Sequence, residues 1–109
     1  MPETYKKEIV QHIITNLLDA KLLRIIQTQP TWGYKIKKQI ETEFNIKLRH
    51  GALYPALSNL EQRGFLESTT QQRGKLNRKV YTITNNGEIY LQTYFNIIKE
   101  LLEEKKQKP

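Results

Sequence analysis

A chain of 109 residues, 38% hydrophobic and 27% charged, has material for one small core and none for a second domain. Residues 1–109 are therefore expected to fold as one unit that a second copy would help to cover. Eighteen Lys plus Arg against eleven Asp plus Glu leave a formal charge of +7, which favours a polyanion or an anionic membrane surface as partner, and zero cysteines exclude disulfides, iron–sulfur clusters, thiolate metal sites and thiol nucleophiles.

Pro2, Pro30, Gly33, Gly51, Gly64, Gly74 and Gly87 divide the chain into five pieces. From Tyr5 to Gln29 the apolar residues Ile9, Ile13, Ile14, Leu17, Leu18, Leu22, Ile25 and Ile26 fall at three- and four-residue spacings, the pattern of one helical face that ends at Pro30. Asn16, with Asp19 three residues on, has the spacing of a helix cap, so this stretch is either one helix or two with a kink near Thr15. Gly33–Phe44 reads as a short helix with Tyr34, Ile36, Ile40 and Phe44 as its apolar positions, ended by Asn45. In Gly51–Arg63 the apolar stripe is Leu53, Ala56, Leu57 and Leu60, and Ala52, Tyr54, Pro55, Ser58, Asn59, Gln62 and Arg63 lie off it. Pro55 has no N–H to give, so this helix begins about one turn before it.

Beyond Gly64 the period changes. Leu66–Gln71 and Arg78–Thr84 are rich in Thr, Tyr, Val and Ile and predict a hairpin joined by residues 72–77, with Tyr81 and Ile83 on the buried face and Val80 interrupting the alternation. Thr84 suits the N-cap of a last helix from about Asn85 to Lys105, in which Leu91, Tyr94, Ile98 and Leu101, widened by Phe95 and Leu102, make the stripe of a helix that meets a partner.

The order helix, helix, helix, hairpin, helix is the plan of a winged helix-turn-helix, mainly α with a small β-hairpin. The second of two short crossed helices can enter a major groove about 12 Å wide, and the hairpin tip reaches the neighbouring backbone or minor groove. Arg73, Lys75, Arg78 and Lys79 suit that use, because no acidic residue stands between Gln71 and Val80. Ala52, Ser58 and Asn59 are the candidates for base edges, and Tyr34, Lys35, Lys38, Arg49, His50 and Arg63 for the surrounding DNA surface, largely phosphate.

The segments Gly51-Ala52-Leu53-Tyr54-Pro55-Ala56-Leu57, Leu60-Glu61 and Gly64-Phe65-Leu66 closely resemble the hallmark of PadR-family transcriptional regulators. Trp32-Gly33-Tyr34-Lys35-Ile36 upstream and Arg78-Lys79-Val80-Tyr81-Thr82-Ile83-Thr84 with Gly87 downstream are similar to two further family segments, so the resemblance spans about Leu17 to Leu102. The sequence departs from the family pattern at Arg49-His50, where a Ser-Pro type pair is usual, at Trp32 for His and at Val80 for Tyr.

The resemblance implies a homodimeric regulator of double-stranded DNA, a repressor acting by operator occupancy, with a winged-helix core at about 17–84 and a dimerisation helix at 85–107. It makes Tyr54 a DNA-backbone contact at the start of the recognition helix. It also implies dimerisation through the first and last helices, with Ile9, Ile13, Leu17, Leu91, Tyr94, Phe95, Ile98, Leu101 and Leu102 as interface residues. Trp32, Tyr94 and Phe95 are the aromatic candidates for a lipophilic or phenolic effector, although Trp32, just before the second short helix, reads first as a helix staple.

Other classes fit less well. With Asp19 the only aspartate, Ser58 and Ser68 the only serines, and His12 and His50 the only histidines, no enzyme constellation, cofactor site or metal site is expected. No run approaches the roughly twenty apolar residues of a membrane span, Met1–Lys7 leads into an amphipathic segment, and a cytoplasmic, nucleoid-associated protein is expected. A winged-helix protein adaptor or a non-specific chromatin-type protein is the alternative; an adaptor has no need of the basic hairpin.

Overall fold

The computed structural model describes residues 3–104; the expectations for Pro2 and for helix beyond residue 104 lie outside the described residues. The chain runs α1 (Glu3–Asn16), α2 (Leu18–Thr28), β1 (Thr31–Trp32), α3 (Gly33–Phe44), α4 (His50–Gln62), β2 (Leu66–Arg73), β3 (Leu76–Ile83) and α5 (Asn85–Leu102). This is a winged helix-turn-helix, with α3 and α4 as the helix pair and β2–β3 as the wing.

The first apolar stretch is two helices. Leu17, at φ −116° and ψ 24°, leaves helical geometry between them. The capping expectation is corrected: the Asn16 amide turns back and donates to His12 O at 2.8 Å, so it closes α1 and does not open α2. The two helices differ in burial. Leu18, Ala20, Leu22, Leu23, Ile25 and Ile26 of α2 are buried, whereas in α1 only Ile14 is.

The core gathers Leu22, Leu23 and Ile26 of α2, Ile36 and Ile40 of α3, Leu53, Leu57 and Leu60 of α4, Leu66 of β2 and Leu91 of α5, each no more than 2% exposed. At roughly 25 cal/mol per Å² of apolar surface, such side chains supply most of the driving force for folding. One expectation is corrected by this core: Leu91, predicted on the partner-facing stripe, is consumed by the monomer. Tyr34, read both as an apolar position of this helix and as a DNA-surface residue, stands in solvent in the first turn of α3.

The α3–α4 turn is held by polar contacts that local periodicity does not reveal. Asn45 adopts the left-handed conformation at φ 53° and ends α3, as expected. The Glu41 carboxylate accepts the backbone N–H of Leu48 at 2.8 Å and an ion pair from Lys37 at 3.3 Å. The Leu48 hydrogen bond, then Lys37, holds its pKa below the ordinary value. α4 begins at His50, about one turn ahead of Pro55, which it accommodates inside the helix.

The sheet has one strand more than the sequence predicts. β1 is two residues long and pairs antiparallel with β3, Thr31 opposite Tyr81 and Trp32 opposite Val80, giving the order β1-β3-β2. This extra strand explains Val80: the residue that breaks the expected alternation is buried, with Trp32 opposite it. The hairpin is also longer than predicted, pairing as far as Arg73 with Leu76 around a two-residue turn whose first residue, Gly74, sits at φ +59°. Thr84 caps α5 as expected, accepting from Gly87 N at 3.0 Å and donating to Gly64 O at 2.6 Å. α5 ends at Leu102, three residues short of the predicted limit at Lys105.

Candidate nucleic-acid interface

Because Leu53, Leu57 and Leu60 turn inward, α4 presents Ala52, Tyr54, Pro55, Ser58 and Asn59 outward as one exposed face. Tyr54 is 40% exposed and its ring stacks on that of His50, with centroids 5.5 Å apart and planes 6° apart. On its other border lies Gly33, at the start of α3. A Cβ there would stand 2.6 Å from Tyr54 Cε1, so the absence of a side chain at Gly33 lets the tyrosine reach this position. Sequence reading missed this role; the Gly-Tyr dipeptide was its only local signal.

Cations border this face, and the structure divides them. Arg49 and His50 are exposed at the N-terminal end of α4. Lys35 Nζ lies 5.1 Å from the Trp32 ring centre, Lys38 Nζ 5.6 Å from that of exposed Tyr34, and the Arg78 guanidinium 3.7 Å from that of Trp32. Arg73 and Lys75 are exposed at the wing tip.

Two of the expected phosphate contacts have partners within the protein. The Lys79 ammonium pairs with Glu61 Oε1 at 3.1 Å, while the other Glu61 oxygen accepts the Ser68 hydroxyl. The Ser68 hydrogen bond, then Lys79, keeps the Glu61 pKa below its ordinary value, and Glu61 raises that of Lys79. The hairpin therefore has an acidic counterion, supplied from α4, which a scan of the hairpin sequence cannot detect. Arg63 is held elsewhere. It lies at the C-terminal end of α4, about 20 Å from His50 at 1.5 Å per residue, with its guanidinium 4.8 Å from the Phe65 ring and 5.0 Å from the Tyr90 ring.

The expected partner-facing residues also separate. Ile9 and Ile13 of α1 and Phe95, Leu101 and Leu102 of α5 are exposed, joined by Tyr5, Ile89 and Ile97, which lie outside the predicted stripe. Leu17 and Ile98 are half-buried. Tyr94 is turned inward: its hydroxyl donates to Asp19 Oδ1 at 3.2 Å, tying α5 to α2, and burial followed by the Asp19 charge pushes its pKa up to about 12.

The three aromatic residues grouped for an effector do not share a cavity. Phe95 lines an apolar cleft of about 290 Å³ with Ile13, Leu17 and Phe44, and Tyr94 lines a second of about 400 Å³ with Ile97 and Leu101. Trp32 lines a third, at the wing, of about 270 Å³ with Tyr34, Tyr54 and Arg78. Trp32 precedes α3 in a strand and not a loop, at the N-cap position, with the Lys35 and Arg78 cations over its ring. Among the described residues no group of three or more His, Asp or Glu is placed to hold a metal ion, and no helix is long and apolar enough to cross a membrane.

Comparison with known proteins gives a consistent picture. The model of the transcriptional regulator PadR-like family matches residues 22–93. An uncharacterised protein of Lysinibacillus sphaericus is 32% identical over 98 residues, 85% of each chain. A PadR-like transcription factor of Bacteroides fragilis superposes with a TM-score of 0.73 at 22% identity, over 86% of this chain and 91% of that one. Bacillus subtilis PadR in complex with operator DNA superposes with a TM-score of 0.67 at 25% identity, over 84% of this chain and 49% of that one.

Proposed function

Because the chain belongs to the transcriptional regulator PadR-like family, we propose that it is a sequence-specific double-stranded DNA-binding protein, a homodimeric repressor that acts by occupying an operator. The observation that carries this reading is the α4 face: Ala52, Ser58 and Asn59 stand clear of the core, flanked by exposed cations. α4 enters the major groove, these three residues meet base edges, and Tyr54, Lys35, Lys38 and Arg49 meet phosphates, which position the protein without reading sequence. Arg73 and Lys75 bring the wing tip to the adjacent backbone. The likeness to operator-bound Bacillus subtilis PadR supports this arrangement.

Dimerisation is supported by the apolar faces of α1 and α5 and by the extended shape. The radius of gyration is 16.3 Å, against about 13 Å for a compact chain of this length. Two copies related by a two-fold axis place two recognition helices on half-sites about one helical turn apart. The clefts beside Phe95 and Tyr94 are the places for a lipophilic or phenolic effector, and the protein works on the nucleoid, in the cytoplasm.

The test is selection of bound fragments from genomic duplex by the purified protein, followed by binding to the best site across a salt series. A short palindromic site bound by a dimer with a steep salt slope is the expected result. Sequence-indifferent binding points to a chromatin-type protein, and no binding at any salt to a protein-interaction adaptor.

A further inference from the structure

Two sets of cations in this protein differ in what they end on. Lys21, Lys37, Lys79 and Lys99 each end on a glutamate. Arg63, Arg78, Lys35 and Lys38 end on aromatic rings, and none of the four has a carboxylate partner among the described residues. Two of them share one ring, that of Trp32. Gathering like charges on a single indole without a counterion is costly unless an anion arrives to complete the site.

Arg78 carries the second observation. Its Nε is buried yet donates to no acceptor, and an N–H left so is expensive. The guanidinium carbon lies over Trp32, 3.7 Å from the ring centre, because strand pairing sets Trp32 of β1 opposite Val80, two residues along β3 from Arg78. The cleft beside it, about 270 Å³, is also lined by Tyr34, Tyr54 and Asn77, so it bridges the start of the recognition helix and the wing. In the DNA-binding pose proposed above, a duplex backbone passing from α4 to the wing would cross this cleft.

We propose that the Trp32–Arg78 stack forms a phosphate clamp for bound duplex, in which Trp32 is a positioning residue that presents the Arg78 guanidinium for bidentate contact with one backbone phosphate and Lys35 adds charge beside it. A planar guanidinium already oriented loses little side-chain freedom on meeting a phosphate, which is the advantage of arginine over lysine here. The proposal rests on the DNA-binding reading and adds to it the positioning role of Trp32 and the bidentate contact of Arg78.

Trp32 is the only tryptophan in the chain, so its emission reports on this cleft alone. Saturating duplex should change that emission, and inorganic phosphate at equal ionic strength should not. An unchanged spectrum at saturation, or an equal change with free phosphate, overturns the assignment. Arg78→Ala should weaken binding on the order of tenfold on specific and non-specific duplex alike and reduce the log–log salt slope by about one. Trp32→Leu should produce a similar loss alone and none when added to Arg78→Ala, and Trp32→Phe, which keeps an aromatic face, should restore most of it. Additive losses would mean that Trp32 acts on stability and not through Arg78. If Trp32→Leu does not fold, the emission change and the Arg78→Ala salt slope still decide the matter. Wild-type protein that binds no duplex at any salt removes the functional reading and this one together, whereas wild-type binding with an unchanged Arg78→Ala slope removes only this one.

Discussion

Gly33 and Tyr54 form a pair in which a missing side chain positions a present one. Adding a methyl at Gly33 brings Cβ within 2.6 Å of the Tyr54 ring, which must swing away. Gly33→Ala is therefore expected to leave the melting temperature nearly unchanged, since alanine favours helix, while weakening DNA binding to the level of Tyr54→Ala. Normal DNA binding by Gly33→Ala, in a fluorescence anisotropy titration, would falsify the role given to this contact. Glu61 offers a separate residue-level test. Its folded pKa lies below the ordinary 4.5, so its contribution to stability is fully present above that value and is lost as pH falls through the lowered one. The melting temperature of Glu61→Gln should thus fall less steeply than that of wild type from pH 6 into the acid range. Glu41 has the same sign and accounts for part of the remaining slope.

At the scale of elements, the wing and the last helix depend on two glycines for different reasons. Gly74 takes φ +59° at the first position of the β2–β3 turn, where an L-residue is strained, and Gly74→Ala should destabilise by about 1 kcal/mol. Gly87 permits the approach of α5 to the strand root, since a Cβ there would lie 2.2 Å from Phe65 O. A backbone oxygen cannot be displaced cheaply, so Gly87→Ala should cost about 3 kcal/mol in chemical denaturation, and a loss under about 1 kcal/mol would show that α5 tilts freely. The wing tip acts through charge. Arg73→Ala with Lys75→Ala should lower affinity for all duplexes and flatten the salt slope by up to about 0.9 for each phosphate that the tip no longer neutralises. An unchanged slope removes the tip from the interface.

At the scale of the molecule, the decisive surface is the apolar face left by α1 and α5. Leu101 is 77% and Leu102 82% exposed, and Ile9 and Ile13 are also open to solvent. Leu101→Glu adds no charge to the monomer core, unlike a substitution at half-buried Ile98 or buried Leu91, and should convert dimer to monomer in sedimentation without lowering monomer stability. A dimer that survives both Leu101→Glu and Ile9→Glu places the main interface elsewhere. Tyr94 links this surface to the DNA-binding half, because its hydroxyl bonds Asp19 of α2.

The helices, the hairpin, the α4 stripe and the polar face opposite it were legible in the sequence, because each is set by residues within one or two turns of one another. Ile36 with Ile40, and Leu53, Leu57 and Leu60, declare their burial by spacing, and Asn45 and Thr84 declare helix ends by their side-chain chemistry. The tertiary structure alone decided the contacts that join distant segments: β1 against β3, Glu61 to Lys79, Arg63 to Tyr90, Trp32 to Arg78, and Leu91 to the core. A two-residue strand has no periodicity to read, and whether a cation meets a carboxylate, a ring or a free phosphate depends on which surfaces folding brings within about 4–6 Å. Charge and stripe therefore determined that this chain should present a basic, helical face, and packing determined which of its cations remain free to use it.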